Sequence, residues 1–325
     1  MFVDYHVHTQ YSDDSDYPME DVVKDAIELG MDEICFTDHV DYGAKVDWDS
    51  GEEISYCNGL AMVNVDYPAY VKQIGALQKQ YGDRLTIRMG LEFGMQVHTI
   101  SKFEALYQRY PFDFIILSVH QVEDKGFWSQ EFQQGRTQKE YNERYYEELL
   151  HLVKRYQNYS VLGHLDLIVR YDKAGIYPFS KVRHYVEEIL AEVIKNGKGI
   201  EVNTSSHRYG LADATPSAEI LKMYHDMGGR IVTLGSDSHA PAHLGTYMEE
   251  TRTLLKSLGF RQFCTYDRMR PVFHELRQDK GWCFMHHPLF LRIRIILSMV
   301  AASSGVDSFL ITETMVSISS LEKVI

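Results

Sequence analysis

Asp4-Tyr5-His6-Val7-His8-Thr9 decides the reading of this chain. Two histidines flank one valine, directly after the apolar start Met1-Phe2-Val3. Residues i and i+2 of a β-strand point to one face. His6 and His8 therefore sit side by side at the end of a short first strand, as two imidazoles on one metal ion would. A His-x-His pair alone does not make a metal site, so the rest of the chain has to supply the other ligands.

Further along, one apolar run after another closes on the same residue types. Glu33-Ile34-Cys35-Phe36 leads into Thr37-Asp38-His39, and residues 85–91 lead into Glu92. Phe114-Ile115-Ile116-Leu117-Ser118-Val119 ends at His120, and Tyr159-Ser160-Val161-Leu162-Gly163 ends at His164. Gly199-Ile200-Glu201-Val202 ends at Asn203, and residues 230–236 end at Asp237-Ser238-His239. Runs this apolar suit strands of a parallel sheet covered on both faces.

Helical patterns separate the runs. They fall at residues 18–29, 67–81, 101–110, 137–155, 180–197, from Thr215-Pro216 onward, and 249–258. Thr137 and Glu140 form a capping box at the start of the fourth. Ser180 is expected to cap the fifth, and Pro216 to open the sixth at the first helical position. Residues 41–64 read as an irregular insert near the rim. About seven strand–helix alternations predict an α/β fold, a distorted barrel of (β/α)₇ type. In such a barrel the C-terminal strand ends converge on one face, where active sites form. His6, His8, His39, Glu92, His120, His164, Asp237 and His239 all fall there.

Composition narrows the function. The 325 residues are 45% hydrophobic, ample for a packed core. The formal charge of −13, from 33 basic and 46 acidic residues, argues against nucleic-acid binding through phosphate contacts. Bound metal ions would still admit a phosphorylated substrate. Cys35, Cys57, Cys264 and Cys283 lack paired spacing and suggest a reducing compartment. The N-terminus reads as a strand carrying Asp4 rather than a signal peptide, so a cytoplasmic protein is expected, with no membrane partner. Oligomeric state is not written in the pattern. No cysteine joins the clustered donors, so the site is one of nitrogen and oxygen, suited to zinc, manganese or iron. The donors outnumber the needs of one ion. Two or three divalent ions sharing Glu92 and Asp237 as bridges is the simplest account.

The motifs resemble a known family. His6-Val-His8-Thr-Gln-Tyr-Ser12-Asp-Asp14, Thr37-Asp38-His39, Gly90-Leu-Glu92, Ser118-Val-His120, Gly163-His164-Leu-Asp166 and Ser236-Asp237-Ser-His239 are similar to those of the PHP (polymerase and histidinol phosphatase) superfamily. Thr37-Asp-His-Val-Asp-Tyr-Gly43, the run from Gly163 through Arg170-Tyr171, and Glu201-Val-Asn-Thr-Ser-Ser-His-Arg208 resemble its histidinol-phosphate phosphatase branch. The resemblance covers about residues 1–277. It implies the (β/α)₇ barrel with a trinuclear centre. His6, His8, Glu92 and Asp237 would hold the first ion, Glu92, His120 and His164 the second, and Asp14, His39 and His239 the third. Other branches carry a histidine where Asp14 stands, and neighbouring Asp13 is the alternative ligand.

The expected activity is hydrolysis of a small phosphomonoester, histidinol phosphate first, within histidine biosynthesis. Clustered metals would neutralise phosphate oxygens, lower the pKa of water and orient in-line attack. Glu92, Asp237 and His239 are the expected catalytic residues, and Arg170, Arg208 and His207 the expected substrate contacts. Asp38, His207 or a metal-bound water are candidates to protonate the leaving group. Asp166 is expected to orient His164 from behind. His98 is a lesser candidate, while His151, His184 and His225 read as packing or solvated residues. The rivals are a PHP phosphoesterase acting on another phosphomonoester or on nucleotides, and a non-catalytic metal-binding scaffold. Residues 278–325 depart from the family. There the run 289–302 reads as a packing helix, too short and too charged to span a membrane, or as part of a frameshifted or read-through tail, and His286-His287 as incidental.

Overall fold

Seven parallel strands carry the computed structural model: β1 (Val3–Val7), β2 (Glu33–Phe36), β3 (Thr86–Gly94), β4 (Phe114–Ser118), β5 (Val161–Leu162), β6 (Gly199–Asn203) and β7 (Val232–Gly235). They pair in that order. A bridge from Ser238 to Val7 brings the last strand back to the first. There His8 N donates to Ser238 O at 2.8 Å and Ser238 N to His6 O at 3.1 Å. The sheet is thus a nearly closed barrel. The structure describes residues 1–57 and 59–276. The expectations for 278–325, including His286-His287 and the run 289–302, lie outside the described residues.

The helices α1 (Met19–Glu28), α2 (Tyr67–Tyr81), α3 (Ile100–Arg109), α4 (Gln138–Arg155), α5 (Phe179–Lys195), α6 (Ala218–Asp226) and α7 (Met248–Ser257) follow the strands in alternation. Each lays one apolar face on the sheet. In α1 that face is Val22, Val23 and Ala26, all fully buried; each valine contributes about 1.5–3 kcal/mol. With both faces covered, the strands are buried nearly throughout, which is why they read as unbroken apolar runs. At α4 the capping box forms as expected. Glu140 N donates to the Thr137 hydroxyl at 3.3 Å, and Thr137 N donates to the Glu140 carboxylate at 2.7 Å.

Two helix starts differ from expectation. Ser180 does not cap α5, which begins one residue earlier behind Pro178. The ring of Pro178 holds its φ near the helical value, at −59°, while its ψ of 123° makes it the flanking residue rather than the first helical one. Thr215-Pro216 does not open α6. Thr215 instead pairs with Asn203 at the end of β6, N to O in both directions (2.8 and 3.1 Å). The helix starts only where Ala218 N reaches the Asp213 carboxylate at 2.7 Å.

Three features position the site. β3 runs two residues beyond Glu92, to Gly94. The short strand His39–Val40 resumes pairing after a break at Thr37-Asp38 and sets His39 opposite Glu92. Residues 41–64 form the irregular insert. Its neck is a ladder in which Asn64 N donates to Val46 O at 2.8 Å and Val46 N to Met62 O at 3.2 Å. Beyond α7, a hairpin of β8 (Gln262–Asp267) and β9 (Arg270–Glu275) was not foreseen. Tyr266 N donates to the Tyr5 hydroxyl at 2.8 Å, which donates to Glu33 at 2.5 Å, and this fastens the hairpin to β1 and β2. Among the described residues, no helix is long and apolar enough to cross a membrane.

Candidate metal centre

Glu92 is the hub. Its side chain is fully buried, and its two oxygens serve two sets of imidazoles. Oε1 lies 2.8 Å from His164 Nε2 and 3.1 Å from His120 Nε2. Oε2 lies 3.2 Å from His6 Nε2, 3.6 Å from His8 Nε2 and 2.9 Å from His39 Nδ1. Asp237 Oδ1 faces the same pair from β1, 3.6 Å from His6 Nε2 and 3.4 Å from His8 Nε2. Asp14 Oδ2 stands 3.6 Å from His39 Nε2 and 3.3 Å from His239 Nε2.

These spacings and the donor chemistry fit divalent ions. A four-coordinate ion with bonds near 2.1 Å sets its donor atoms about 3.4 Å apart. His6 Nε2, His8 Nε2, His39 Nδ1, Glu92 Oε2 and His239 Nε2 are buried and accept no hydrogen bond from the protein. Buried polar atoms are almost always satisfied, and so many converging orphans mark a site that takes a cation. The sets His6–His8–Asp237, Glu92–His120–His164 and His8–His39–His239 each bring their donor atoms within 4.8 Å of one another.

Most of the imidazoles are locked from behind. His6 Nδ1 pairs with the Glu201 carboxylate at 2.5 Å, His8 Nδ1 with the Ser12 hydroxyl at 3.1 Å, His120 Nδ1 with Asp41 at 2.7 Å, and His239 Nδ1 with Asp237 O at 2.9 Å. An acceptor on Nδ1 fixes the tautomer and leaves Nε2 bare toward the centre. The electrostatics follow the crowding. Burial alone would raise Glu92, but His6, His120 and His39 outweigh it and hold the carboxylate well below the usual range. Asp237 is held down in the same way, chiefly by His6, His8 and His239 against its burial. Burial, with His239 and His39 beside it, keeps His8 neutral and so able to bind metal.

The centre opens into a cavity of about 380 Å³. Its lining includes Arg170, Tyr171, Arg208 and Tyr209, together with Trp128, Met62 and Lys45. Arg170 stacks on the Tyr209 ring with its guanidinium carbon 4.3 Å from the centroid. It donates to the Ser205 hydroxyl and lies 3.6 Å from Asp237 Oδ2, while its Nε has no protein acceptor. Arg208 donates to Ser236 O at 2.7 Å and to Asp237 O at 2.8 Å. It thereby braces Asp237, whose φ of +55° is uncommon for a residue other than glycine.

The family pattern described as the PHP domain matches residues 4–205. The chain belongs to the PHP-domain family. This PHP chain is 31% identical over 273 residues to the histidinol-phosphatase of Lactococcus lactis, covering 82% of itself and 95% of that protein. It is 28% identical over 276 residues to the probable histidinol-phosphatase of Thermotoga maritima, covering 85% of itself and 100% of the relative. Its fold matches the crystal structure of the Lactococcus lactis histidinol phosphate phosphatase complexed with zinc, L-histidinol and phosphate. The TM-score is 0.69 at 30% identity, with 83% of this chain and 98% of the other covered.

Within this PHP site, the structure gathers His6, His8, Asp14, His39, Glu92, His120, His164, Asp237 and His239 in one place, with Arg170 and Arg208 at its edge. Asp13 is turned away from the ring nitrogens, its carboxylate 2.5 Å from Lys45 Nζ. His207 is not brought to the cavity lining; its ring packs on Tyr247 with centroids 4.8 Å apart. Ser205–Tyr209 is a 3₁₀ turn, in which successive side chains diverge by about a third of a circle. Arg208 faces in and His207 does not. Asp38 is also absent from the lining. It accepts from Thr9 N at 2.7 Å and the Ser12 hydroxyl at 2.8 Å, so it shapes the loop after β1. Asp166 does not orient His164. Its carboxylate accepts Ser217 N at 3.0 Å, and His164 Nδ1 has no partner. His98 meets Asp124 at the exposed rim. The residues missed from the sequence are Glu201 and Asp41, which sit behind His6 and His120, and the cavity residues Lys45, Trp128 and Tyr209. The Glu201-Val-Asn203 segment was visible as a strand, but nothing local marked its carboxylate as the partner of a histidine 195 positions away.

Proposed function

We propose that this PHP protein is a metal-dependent histidinol-phosphate phosphatase, hydrolysing L-histidinol phosphate to L-histidinol and phosphate in histidine biosynthesis. One observation carries the proposal: orphaned imidazole and carboxylate atoms converge on Glu92 at metal-ligand spacing, in a chain that aligns along most of its length with histidinol-phosphatases. Two to three divalent ions fit the donors. His6, His8, Glu92 and Asp237 would hold the first, Glu92, His120 and His164 the second, and Asp14, His39 and His239 the third. Zinc is the ion in the similar Lactococcus lactis structure.

When bound, such ions supply Lewis-acid polarisation of phosphoryl oxygens and lower the pKa of water. The chain's own residues do the rest. Glu92 and Asp237 hold the histidines around shared carboxylates, and His239 sets the edge nearest Asp14. Arg170 offers its guanidinium to the phosphate from a wall stiffened by Tyr209, a planar donor suited to two phosphate oxygens. Arg208 keeps the Asp237 backbone in place, and the walls set the bound ester in register for attack. The acidic chain and the small cavity favour a small phosphorylated substrate over nucleic acid, and the cysteine usage supports a cytoplasmic enzyme. The proposed catalytic unit is residues 1–277; no role is assigned to 278–325.

The experiment is a phosphate-release panel over histidinol phosphate, nucleotides and simple phosphomonoesters, run before and after chelation. Release from histidinol phosphate that stops on chelation and returns with added zinc or manganese is expected. Activity indifferent to chelation, or confined to nucleotides, refutes the proposal.

A further inference from the structure

We infer that Lys45 is a positioning residue: through Asp41 it fixes His120, and through Asp13 it steadies the Asp14 side of the centre. The inference rests on the reading of the site as a metal centre. Lys45 Nζ lies 2.7 Å from Asp41 Oδ2 and 2.5 Å from Asp13 Oδ1. The other oxygen of Asp41 accepts from His120 Nδ1 at 2.7 Å. One buried ammonium therefore links two parts of the site that lie on different segments of the chain. Its side chain is 4% exposed, and those of Asp41 and Asp13 are 3% and 9%.

The fold around the clamp is built for it. The backbone turns at Asp41 so that Lys45 N donates to Asp41 O at 2.8 Å, which brings the lysine back over its own partner. Asp41 N donates to the Asn64 side chain at 2.9 Å, tying the turn to the far end of the insert. Two glycines leave the room. A Cβ on Gly94 would stand 1.7 Å from Asp41 Oδ1 and 2.6 Å from His120 Nδ1. A Cβ on Gly43, at φ +98°, would stand 2.0 Å from Asp124 Oδ1. Backbone without side chains at both points allows the insert turn to press against β3 and the His120 loop.

The geometry separates this role from direct substrate contact. Lys45 lines the cavity, but its charge is already shared by two carboxylates at short range. An ammonium so engaged has little left for a phosphate. Its worth lies in cancelling the two charges beside the donors and in holding His120 by way of Asp41. Carboxylates behind metal-bound imidazoles orient them, and removing such partners commonly costs about 10- to 100-fold in metal affinity or activity.

The test uses the full-length metal-loaded enzyme, Lys45→Met, Asp41→Asn and their double variant. Metal release into excess chelator is followed with a chromogenic zinc indicator, beside kcat and KM for histidinol phosphate. Each single variant is expected to release part of its metal about 10-fold faster or more and to lose kcat, with KM within about 3-fold of wild type. The double variant is expected to be scarcely worse than either single, because both act along one chain. If Lys45→Met does not fold, Lys45→Gln, which keeps a donor at that place but not the charge, carries the same test. Wild-type metal release and kcat in the variants, or a KM increase alone, overturns the inference while leaving the metal-centre reading intact. A wild-type protein that holds no metal overturns that reading and the inference with it.

Discussion

Replacing Glu92 by glutamine keeps the shape of the hub and removes its charge. Both oxygens face imidazole nitrogens between 2.8 and 3.6 Å away, on strands or strand ends from different parts of the barrel. A pair of unit charges about 3 Å apart at an effective dielectric of about 20 interacts with about 5 kcal/mol. At about 1.36 kcal/mol per tenfold in rate, that corresponds to between three and four decades. The amide also puts an N–H where a cation belongs, adding repulsion to the lost attraction. Glu92→Gln should lower kcat on histidinol phosphate by about 1000-fold or more and reduce the bound metal by at least one ion per chain. Elemental analysis of the dialysed protein and steady-state phosphate release read the two effects. A variant with the full metal complement and a rate within about 10-fold of wild type would refute the bridging role.

Other outcomes follow from the same geometry. Stripping the metals should lower the melting temperature by several degrees, read by calorimetry and reversed by zinc, since a ligand at 100 times its Kd stabilises by about 2.7 kcal/mol; an unchanged melting point would show that the donors hold no ion. Arg170→Lys should cut kcat/KM by about 10- to 100-fold, because an ammonium cannot reproduce the fork and each charged hydrogen bond contributes about 1.5–3 kcal/mol; a loss below 3-fold would remove Arg170 from substrate binding. Burial pushes the Cys264 thiol up to about 12, so the stability it contributes is intact below the unfolded thiol pKa near 9 and declines as pH rises from there toward 12. With Cys57 and Cys283 replaced by serine, the native protein should not react with a thiol reagent at pH 8 until it is unfolded, and prompt labelling would contradict the burial of Cys35 and Cys264.

The barrel was legible because its strands are buried on both faces and so appear as continuous apolar runs. The candidate ligands other than Asp14 were legible because they lie where such runs end, and the C-terminal strand ends of a barrel meet. What could not be read locally is pairing across the fold. Glu201 meets His6 because β6 and β7 return to β1 as the barrel closes, and Asp41 meets His120 because the insert folds back over β3. Those contacts depend on register. His207 and Asp38 misled for a related reason. Both lie in sequence beside residues that line the cavity, Arg208 and His39, but a 3₁₀ turn and a loop-organising hydrogen-bond network direct them elsewhere. Asp13 and Asp14 became distinguishable only once Lys45 was seen to occupy the first.

The most direct test of the account is the ratio of kcat/KM for L-histidinol phosphate to that for p-nitrophenyl phosphate, measured on the zinc-loaded protein. A cavity lined by polar and aromatic side chains, in a histidinol-phosphate phosphatase, should favour histidinol phosphate by about 100-fold or more. A ratio near one, with both reactions metal-dependent, would leave a metal phosphatase in place and contradict its assignment to histidinol phosphate.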